Sequence, residues 1–259
     1  MTISQSFGLR AVRERFGEAI GGLWAPVVAM ISHARKARMF HPEGHTFRGI
    51  SEPACAFDDP YWPLAARLGG RVLARFSGAL SRGERERLDV LGFALRFRRS
   101  AGEPIDHVAE SGDTDLLSAT IRSPLTMLGA PLFTNAHDFV TNRYWAVSPF
   151  APSMIDHRVE LRLSPIDPVE RPGRRAEKLA SAVASGHATW LLEARRTLHL
   201  RWRPLCKIAL TEAATIDQAA LRFDPFRGVL EPVGLVHAIR RATYAASQHA
   251  RPGHELPSS

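Results

Sequence analysis

The fold is decided by a stretch in the first half of the chain, Asp89-Val90-Leu91-Gly92-Phe93-Ala94-Leu95-Arg96-Phe97. From Gly92 onward, large apolar side chains alternate with small or charged ones, which is the pattern of a β-strand with one buried face. Aromatic residues at the apolar positions also favour a strand over a helix. The stretch from Arg71 to Gly78 has a similar composition and predicts a neighbouring strand.

Further strand patterns lie on both sides of this pair. They are predicted at about 46–56, 115–121 and 158–163, with two or three more within 189–210. In that last region Trp190, Leu192 and Ala194 alternate first, followed by Leu198, Leu200 and Trp202. Because no helices long enough for parallel crossovers separate these strands, antiparallel pairing is expected. The sequence therefore predicts an α+β fold, a closed antiparallel β-barrel of about eight strands with flanking helices.

Helical patterns flank the predicted barrel. One apolar repeat at helical spacing runs through 7–32, a shorter one covers 176–185, and a third begins at Leu235. Pro60 to Pro63 predicts a turn that introduces more sheet. We expect a single domain over 1–259, composed of an N-terminal helix (1–35), a barrel with an apolar connector at 123–151 (36–223), a C-terminal helix (224–252) and a tail (253–259).

Composition limits the class of protein. The chain has 259 residues, a formal net charge of +8 and 45% hydrophobic residues, enough for one large domain or two small ones. Its arginines are spread through the chain, so nucleic-acid binding is not expected. No run is long and apolar enough to span a bilayer, and the first residues lack a secretory signal pattern. Cys55 and Cys206 are far apart in sequence, so a reducing, cytoplasmic location is expected.

Common cofactor and metal motifs are missing from the sequence. It has no glycine-rich dinucleotide or nucleotide fingerprint, no Gly-x-Ser-x-Gly and no His-Glu-x-x-His. His41 and His45 are four residues apart, but Pro42 and Gly44 between them disfavour a helix, so we expect no helical pair of metal ligands. We therefore do not expect a zinc or mononuclear iron site.

A tyrosine near the C-terminus has a cation on its own helical face. Tyr244 is one of three tyrosines, and Arg240 precedes it by four residues, which on a helix places the guanidinium beside the phenol. A neighbouring cation lowers the pKa of a phenol, and a phenolate can be an axial ligand of haem iron. The alternative is an ordinary packing tyrosine with a solvated arginine.

Short motifs follow one another in a common order along the chain: Arg38-x-x-His41, Arg75-Phe76-Ser77, Gly92-Phe93-Ala94-x-x-Phe97, and Arg240-x-x-x-Tyr244 with Arg251 beyond it. Together, with strand patterns between them, they resemble the haem catalase superfamily, and in particular its small catalase-like members. The resemblance covers Ala37 to Arg251. It implies a catalase-like haem-binding fold with haem b as the cofactor.

The resemblance implies a role for each matching residue on the proximal side and at the haem edge. Tyr244 would be the axial ligand of the haem iron, and Arg240 would keep its phenol deprotonated. Arg38 and Arg75, with Arg251 as a third candidate, would bind the two haem propionates, which need cations in a largely apolar pocket.

On the distal side, His41 would transfer the proton between the two peroxide oxygens, with Ser77 bonded to its other ring nitrogen. Three positions depart from the family pattern. Thr120 stands where a catalase has its distal asparagine, Phe40 replaces an aliphatic residue before the histidine, and Ala245 replaces a proline after the tyrosine. The change to Thr120 puts true catalase activity in doubt, although a hydroxyl can still donate one hydrogen bond.

We therefore expect a haem-dependent, peroxidase-type oxidoreductase. It would use hydrogen peroxide or an organic hydroperoxide, through ferryl compound I, to oxidise a small organic or lipid-like substrate. The alternatives are an enzyme that rearranges fatty-acid hydroperoxides, a weak catalase, a haem-binding or haem-sensing protein without turnover, and a basic protein without haem. We expect the chain to lack the N-terminal arm and the C-terminal domain of a full catalase, and we therefore expect a more open haem and a homodimer.

Overall fold

The structure is a computed structural model that describes residues 44–79, 86, 88–99, 104–123, 126, 129–146, 148–218 and 220–233. Within these ranges the elements are β1 (His45–Pro53), α1 (Trp62–Leu68), β2 (Gly70–Gly78), β3 (Leu91–Arg98), β4 (Thr114–Ala119), α2 (Ala130–Phe133), β5 (Tyr144–Ala146), β6 (Val159–Pro165), α3 (Arg175–Ala184), β7 (Thr189–Arg196) and β8 (Arg203–Ala213). No helix among these elements is long and apolar enough to cross a membrane.

The eight strands close into a barrel. Each strand pairs antiparallel with the next one in sequence, and β8 pairs with β1 to complete the ring. Antiparallel neighbours need no long crossover, so the chain runs up and down around the barrel. The predicted fold class, a closed antiparallel barrel with flanking helices, is therefore confirmed.

Aromatic side chains fill the barrel. The rings of Phe76 and Phe93 stack with their centroids 4.2 Å apart, and the Trp190 ring lies 5.6 and 5.1 Å from them. Tyr144 is also buried, and its hydroxyl donates to the backbone oxygen of Phe139 at 2.7 Å. A barrel of eight strands has an interior that side chains can fill. The interior of the barrel is therefore a packed core, and the other side chains of its strands face the outer wall.

A smaller apolar cluster lies against that outer wall. Leu73 of β2 packs against Ile105 and against Ala214 and Leu221 from the segment after β8. The segment that follows β8 is therefore held against β2. This position brings its polar residues close to the outward-facing side chains of β1 and β2.

Two arginines of β3 form buried ion pairs with acids near β4. Arg96 donates from Nε and Nη2 to the two carboxylate oxygens of Asp115 at 2.9 and 3.1 Å. Arg98 donates in the same way to Asp113 at 2.9 and 2.7 Å. Arg96 also donates to the backbone oxygen of His107 at 3.1 Å. Because buried charges are costly unless paired, these contacts fix the loops around β3 and β4.

The first departure from the sequence prediction is helix α1. The turn around Tyr61 forms as predicted, but it leads into a helix before the sheet resumes at β2. Pro63 lies in the first turn, where a proline is tolerated. Leu64, Ala65 and Leu68 recur at helical spacing and are buried, so apolar packing favours the helix.

Two further differences concern the strands. The alternation of Leu198, Leu200 and Trp202 predicted a strand, whereas these residues form the connection between β7 and β8. The region predicted as an apolar connector contains α2 and the short strand β5. Strand β5 has three residues, too few for alternation to be visible in the sequence.

Candidate functional site

The candidate site lies on the outer wall of the barrel at β2. Phe76 faces the filled interior, so its neighbours Arg75 and Ser77 face outward. Across the sheet, Arg75 is paired with Thr46 of β1, and Ser77 is paired with Gly92 of β3. The motif Arg75-Phe76-Ser77 therefore presents one cation and one hydroxyl on the same outer face.

A chain of hydrogen bonds orients the Arg75 guanidinium. Its Nε donates to Oε1 of Gln218 at 3.2 Å. The Gln218 amide nitrogen donates to the Thr46 hydroxyl at 2.8 Å, and that hydroxyl donates to the backbone oxygen of Ala214 at 2.7 Å. Each group in this row of hydrogen bonds has a defined role as donor or acceptor, so the guanidinium is held in one orientation.

The Arg75 cation has no counter-ion in the described part of the chain. None of the ion pairs among the described residues includes it, and its only hydrogen bond there is the one from Nε. Burial lowers the pKa of Arg75 because it removes water from the charged form. A partly desolvated cation whose Nη1 and Nη2 groups have no partner among the described residues is suited to bind an anion, above all a carboxylate.

Glycines make room for this cation and for the neighbouring hydroxyl. An ideal Cβ on Gly44 would overlap the guanidinium of Arg75, so only a glycine allows the present position of the arginine. An ideal Cβ on Gly92 would lie 2.9 Å from Oγ of Ser77. Among the described residues, the Ser77 hydroxyl has no hydrogen-bond partner. Its oxygen is therefore available to a group outside those ranges.

Thr120 lies directly after β4 and is buried. Its Oγ1 accepts a hydrogen bond from the backbone N–H of Leu91 at 3.1 Å and lies 2.8 Å from the hydroxyl of Thr134. The register places Ser77, Gly92 and Ala119 side by side on three adjacent strands, about 10 Å from first to last at the usual strand spacing. Thr120 therefore lies at the same end of the barrel as Ser77, with its hydroxyl engaged by the protein.

The remaining predicted site residues lie outside the described residues. They are Arg38, Phe40, His41, Arg240, Tyr244 and Arg251. Their roles as haem ligand, haem-side residues, propionate cations and distal acid–base stay predictions. Within the ranges described, no group of three His, Cys, Asp or Glu residues is placed to hold a metal ion.

The sequence did not point to Gln218 or Thr46 as part of this site. Gln218 is 143 residues from Arg75, and the two meet because β8 closes the barrel against β1. Isolated polar residues of this kind have no spacing signal in a sequence. Gly44 was noticed only as a helix breaker, whereas its missing side chain is what admits the arginine.

Comparison with known proteins identifies the fold. The solved structure of a bacterial catalase matches this chain with a TM-score of 0.52 at 14% sequence identity, over 82% of this chain and 57% of that chain. This chain thus spans just over half the length of the catalase it matches. No protein-family model matches the chain, and neither does any curated protein. At this identity the likeness shows a catalase-like barrel fold.

Proposed function

We propose that this chain binds haem b against the outer wall of the barrel and uses peroxide to oxidise a small organic or lipid-like substrate. The observation that carries the proposal is the Arg75 guanidinium, which is oriented, partly desolvated and without a counter-ion among the described residues. Haem carries two carboxylates at one edge, and a guanidinium binds such a group with paired hydrogen bonds. The catalase-like fold supports the same assignment.

The proposed cradle has a cation, a hydroxyl without a hydrogen-bond partner in the described part of the chain, and glycines that leave space. Arg75 would bind a propionate through Nη1 and Nη2, while Gln218 holds its Nε. Gly44 leaves the space that the guanidinium occupies. These residues fit a carboxylate-bearing cofactor better than a neutral ligand, because a neutral ligand would leave the desolvated charge unpaired.

The residues proposed for the distal side support proton transfer. Three peptide bonds separate His41 from Gly44, whose α-carbon lies against the Arg75 side chain. His41 would take the proton from one peroxide oxygen and return it to the departing oxygen, as a neutral imidazole can. Ser77, unpartnered among the described residues, would hold the other ring nitrogen and fix its tautomer.

On the proximal side, Tyr244 would bind the iron through its phenolate, and Arg240 would keep the phenol deprotonated. When bound, haem supplies the redox chemistry that a peroxidase needs. The protein supplies the axial ligand, the cations at the haem edge and the acid–base group.

The contacts of Thr120 favour peroxidase over catalase activity. A catalase has to orient a second peroxide molecule, and its distal asparagine amide supports this step. The Thr120 oxygen instead accepts hydrogen bonds from the Leu91 N–H and the Thr134 hydroxyl, which leaves the Thr120 proton as one donor. Because this single hydroxyl donor stands in place of an amide, we expect Thr120 to orient peroxide less well than an asparagine does.

The experiment compares two activities of the haem-loaded protein. Oxygen evolution from hydrogen peroxide measures catalase activity, and oxidation of guaiacol measures peroxidase activity. We expect guaiacol oxidation with little oxygen release, and a loss of roughly two to four orders of magnitude in peroxide reactivity for His41→Ala. Thr120→Asn should raise oxygen evolution. Rapid oxygen release by the wild type, or no reaction with peroxide at all, would contradict the proposed function.

A further inference from the structure

The connection between β7 and β8 exposes two leucines. Leu198 is 94% exposed and Leu200 is 91% exposed. The turn is closed by the N–H of His199, which donates to the backbone oxygen of Arg196 at 3.0 Å. The two leucines are two residues apart in one turn, and adjacent exposed apolar side chains of this kind can form an interaction surface.

The backbone of this turn makes the choice of leucine more unusual. Leu198 has φ of 69°, in the left-handed region that favours glycine or asparagine. An apolar side chain is therefore used at a position where turn geometry disfavours it and where it gains no burial. Such a departure from local rules points to a function of the turn.

A second apolar pair lies at the same end of the barrel. Phe57 is 81% exposed, and its ring centroid lies 5.2 Å from that of Trp62. Phe57 follows the end of β1, and that end lies beside the start of β8, as the pairing of Pro53 with Cys206 shows. An ion pair of 3.3 Å between Arg203 and Asp59 ties the two connections together.

The connection is also strongly basic. The segment from Arg195 to Arg203 contains four arginines, one histidine and no acidic residue. Arg196 and Arg201 are exposed and have no ion-pair partner among the described residues. The nearby acids Asp59 and Glu160 are already paired with arginines of this segment, at 3.3 and 2.5 Å. Glu193 is bonded to Arg162 at 2.7 Å. Asp156 is bonded to His157 at 2.6 Å and also interacts electrostatically with Arg196.

We propose that this end of the barrel docks on an anionic lipid membrane surface. Leu198, Leu200 and Phe57 would enter the boundary between headgroups and acyl chains, and Arg196 and Arg201 would contact lipid phosphates. Exposed apolar side chains next to unpaired cations are the combination that binds such interfaces. A nucleic acid would use the cations but would give the protruding leucines no partner. The inference does not depend on haem binding.

The experiment is flotation of the full-length protein with lipid vesicles. We expect binding to phosphatidylcholine vesicles that contain phosphatidylglycerol, weak binding to phosphatidylcholine alone, and release by salt, because the attraction of the arginines is screened. The double variant Leu198→Ser with Leu200→Ser should bind the anionic vesicles roughly ten- to hundredfold more weakly. Arg196→Gln with Arg201→Gln should remove most of the preference for phosphatidylglycerol.

The matched control is Leu132→Ser with Phe133→Ser, which replaces two other exposed apolar side chains. These lie on α2, beside the Thr134 that contacts Thr120 at the other end of the barrel. The control should bind vesicles as the wild type does, and all variants should unfold at the wild-type temperature. The proposal is overturned if the wild type does not bind anionic vesicles, or if the control variant weakens vesicle binding as much as the leucine variant does. It is also overturned if the leucine substitutions instead abolish binding to nucleic acid or to a second copy of the chain.

Discussion

The guanidinium of Arg75 occupies the space that a side chain on Gly44 would need. The glycine lies just before β1, and the arginine faces outward from β2. This contact allows the arginine to reach Gln218 and leaves its Nη1 and Nη2 groups without partners among the described residues. The position of the cation therefore depends on a residue with no side chain.

Gly44→Ala is expected to weaken haem binding. The added Cβ would overlap the guanidinium, so Arg75 has to move away from its present position. Loss of a charge-assisted hydrogen bond to a propionate should reduce haem affinity by roughly ten- to hundredfold. Haem titration of the apoprotein, followed by absorbance, measures this effect.

Gly129→Ala is the control for that variant. An ideal Cβ at Gly129 would be 3.5 Å from its nearest neighbour, which is an ordinary contact. Its haem affinity should equal that of the wild type. Equal affinities in all three proteins would show that the position of Arg75 does not matter for haem binding.

Arg75→Met should separate stability from binding. Burial lowers the pKa of Arg75, so the folded apoprotein disfavours the charged form. Removing the charge should leave the free energy of unfolding of the apoprotein unchanged or raise it by about 1 kcal/mol. Haem affinity should fall, and Arg75→Lys should restore part of it because the charge is kept without the planar fork. If Arg75→Met lowers the stability of the apoprotein but keeps the haem affinity, Arg75 has a structural role and does not bind haem.

The alternation of side chains made most of the barrel predictable. Phe93, Leu95 and Phe97 are buried on one face of β3, as their spacing indicated. Local patterns cannot reveal a strand as short as β5. Local patterns also misled at Leu198 and Leu200. Their alternation predicted a strand, but they lie in a turn and their side chains face solvent.

The candidate site was predictable only where it is carried by a contiguous motif. Arg75 and Ser77 are two residues apart on one strand, so one stretch of sequence specifies both. Gln218 and Thr46 reach the site through barrel closure, and no local pattern encodes that closure. His41 and Tyr244 lie outside the described residues, and their roles stay predictions.

Asp115→Ala should be strongly destabilising. Asp115 and Arg96 form a fully buried pair with two hydrogen bonds, and the variant leaves the guanidinium buried without its carboxylate. We expect a loss of about 3–5 kcal/mol in the free energy of unfolding, measured with urea. Glu160→Gln is the control, because its pair with Arg195 is partly exposed and should contribute less than about 1 kcal/mol. Similar losses in both variants would contradict this assignment.

Stability should depend on pH through Asp113. Burial alone would raise the pKa of this carboxyl. Hydrogen bonds from the Arg98 side chain and the Glu110 N–H, together with the positive charges of Arg98 and Arg96, outweigh burial and lower the pKa below the ordinary 3.8. A carboxyl whose pKa is lower in the folded state stabilises that state at pH values above the pKa of the unfolded state. This stabilisation is lost as the pH falls through the pKa of the folded state. The advantage of the wild type over Asp113→Asn should therefore be constant above about pH 5 and shrink below about pH 4. Chemical denaturation at a series of pH values measures this difference in the free energy of unfolding. A difference that increases as the pH falls would contradict the assignment.

Haem ligation by Tyr244 can be measured from the absorption spectrum while the apoprotein is titrated with haem. We expect the apoprotein to take up haem with a saturable Soret band typical of a phenolate-ligated iron. Tyr244→Phe should lose tight binding or shift that spectrum, because the anionic oxygen is removed. Absence of a Soret band in the wild type, or an identical spectrum and affinity in Tyr244→Phe, would contradict the account.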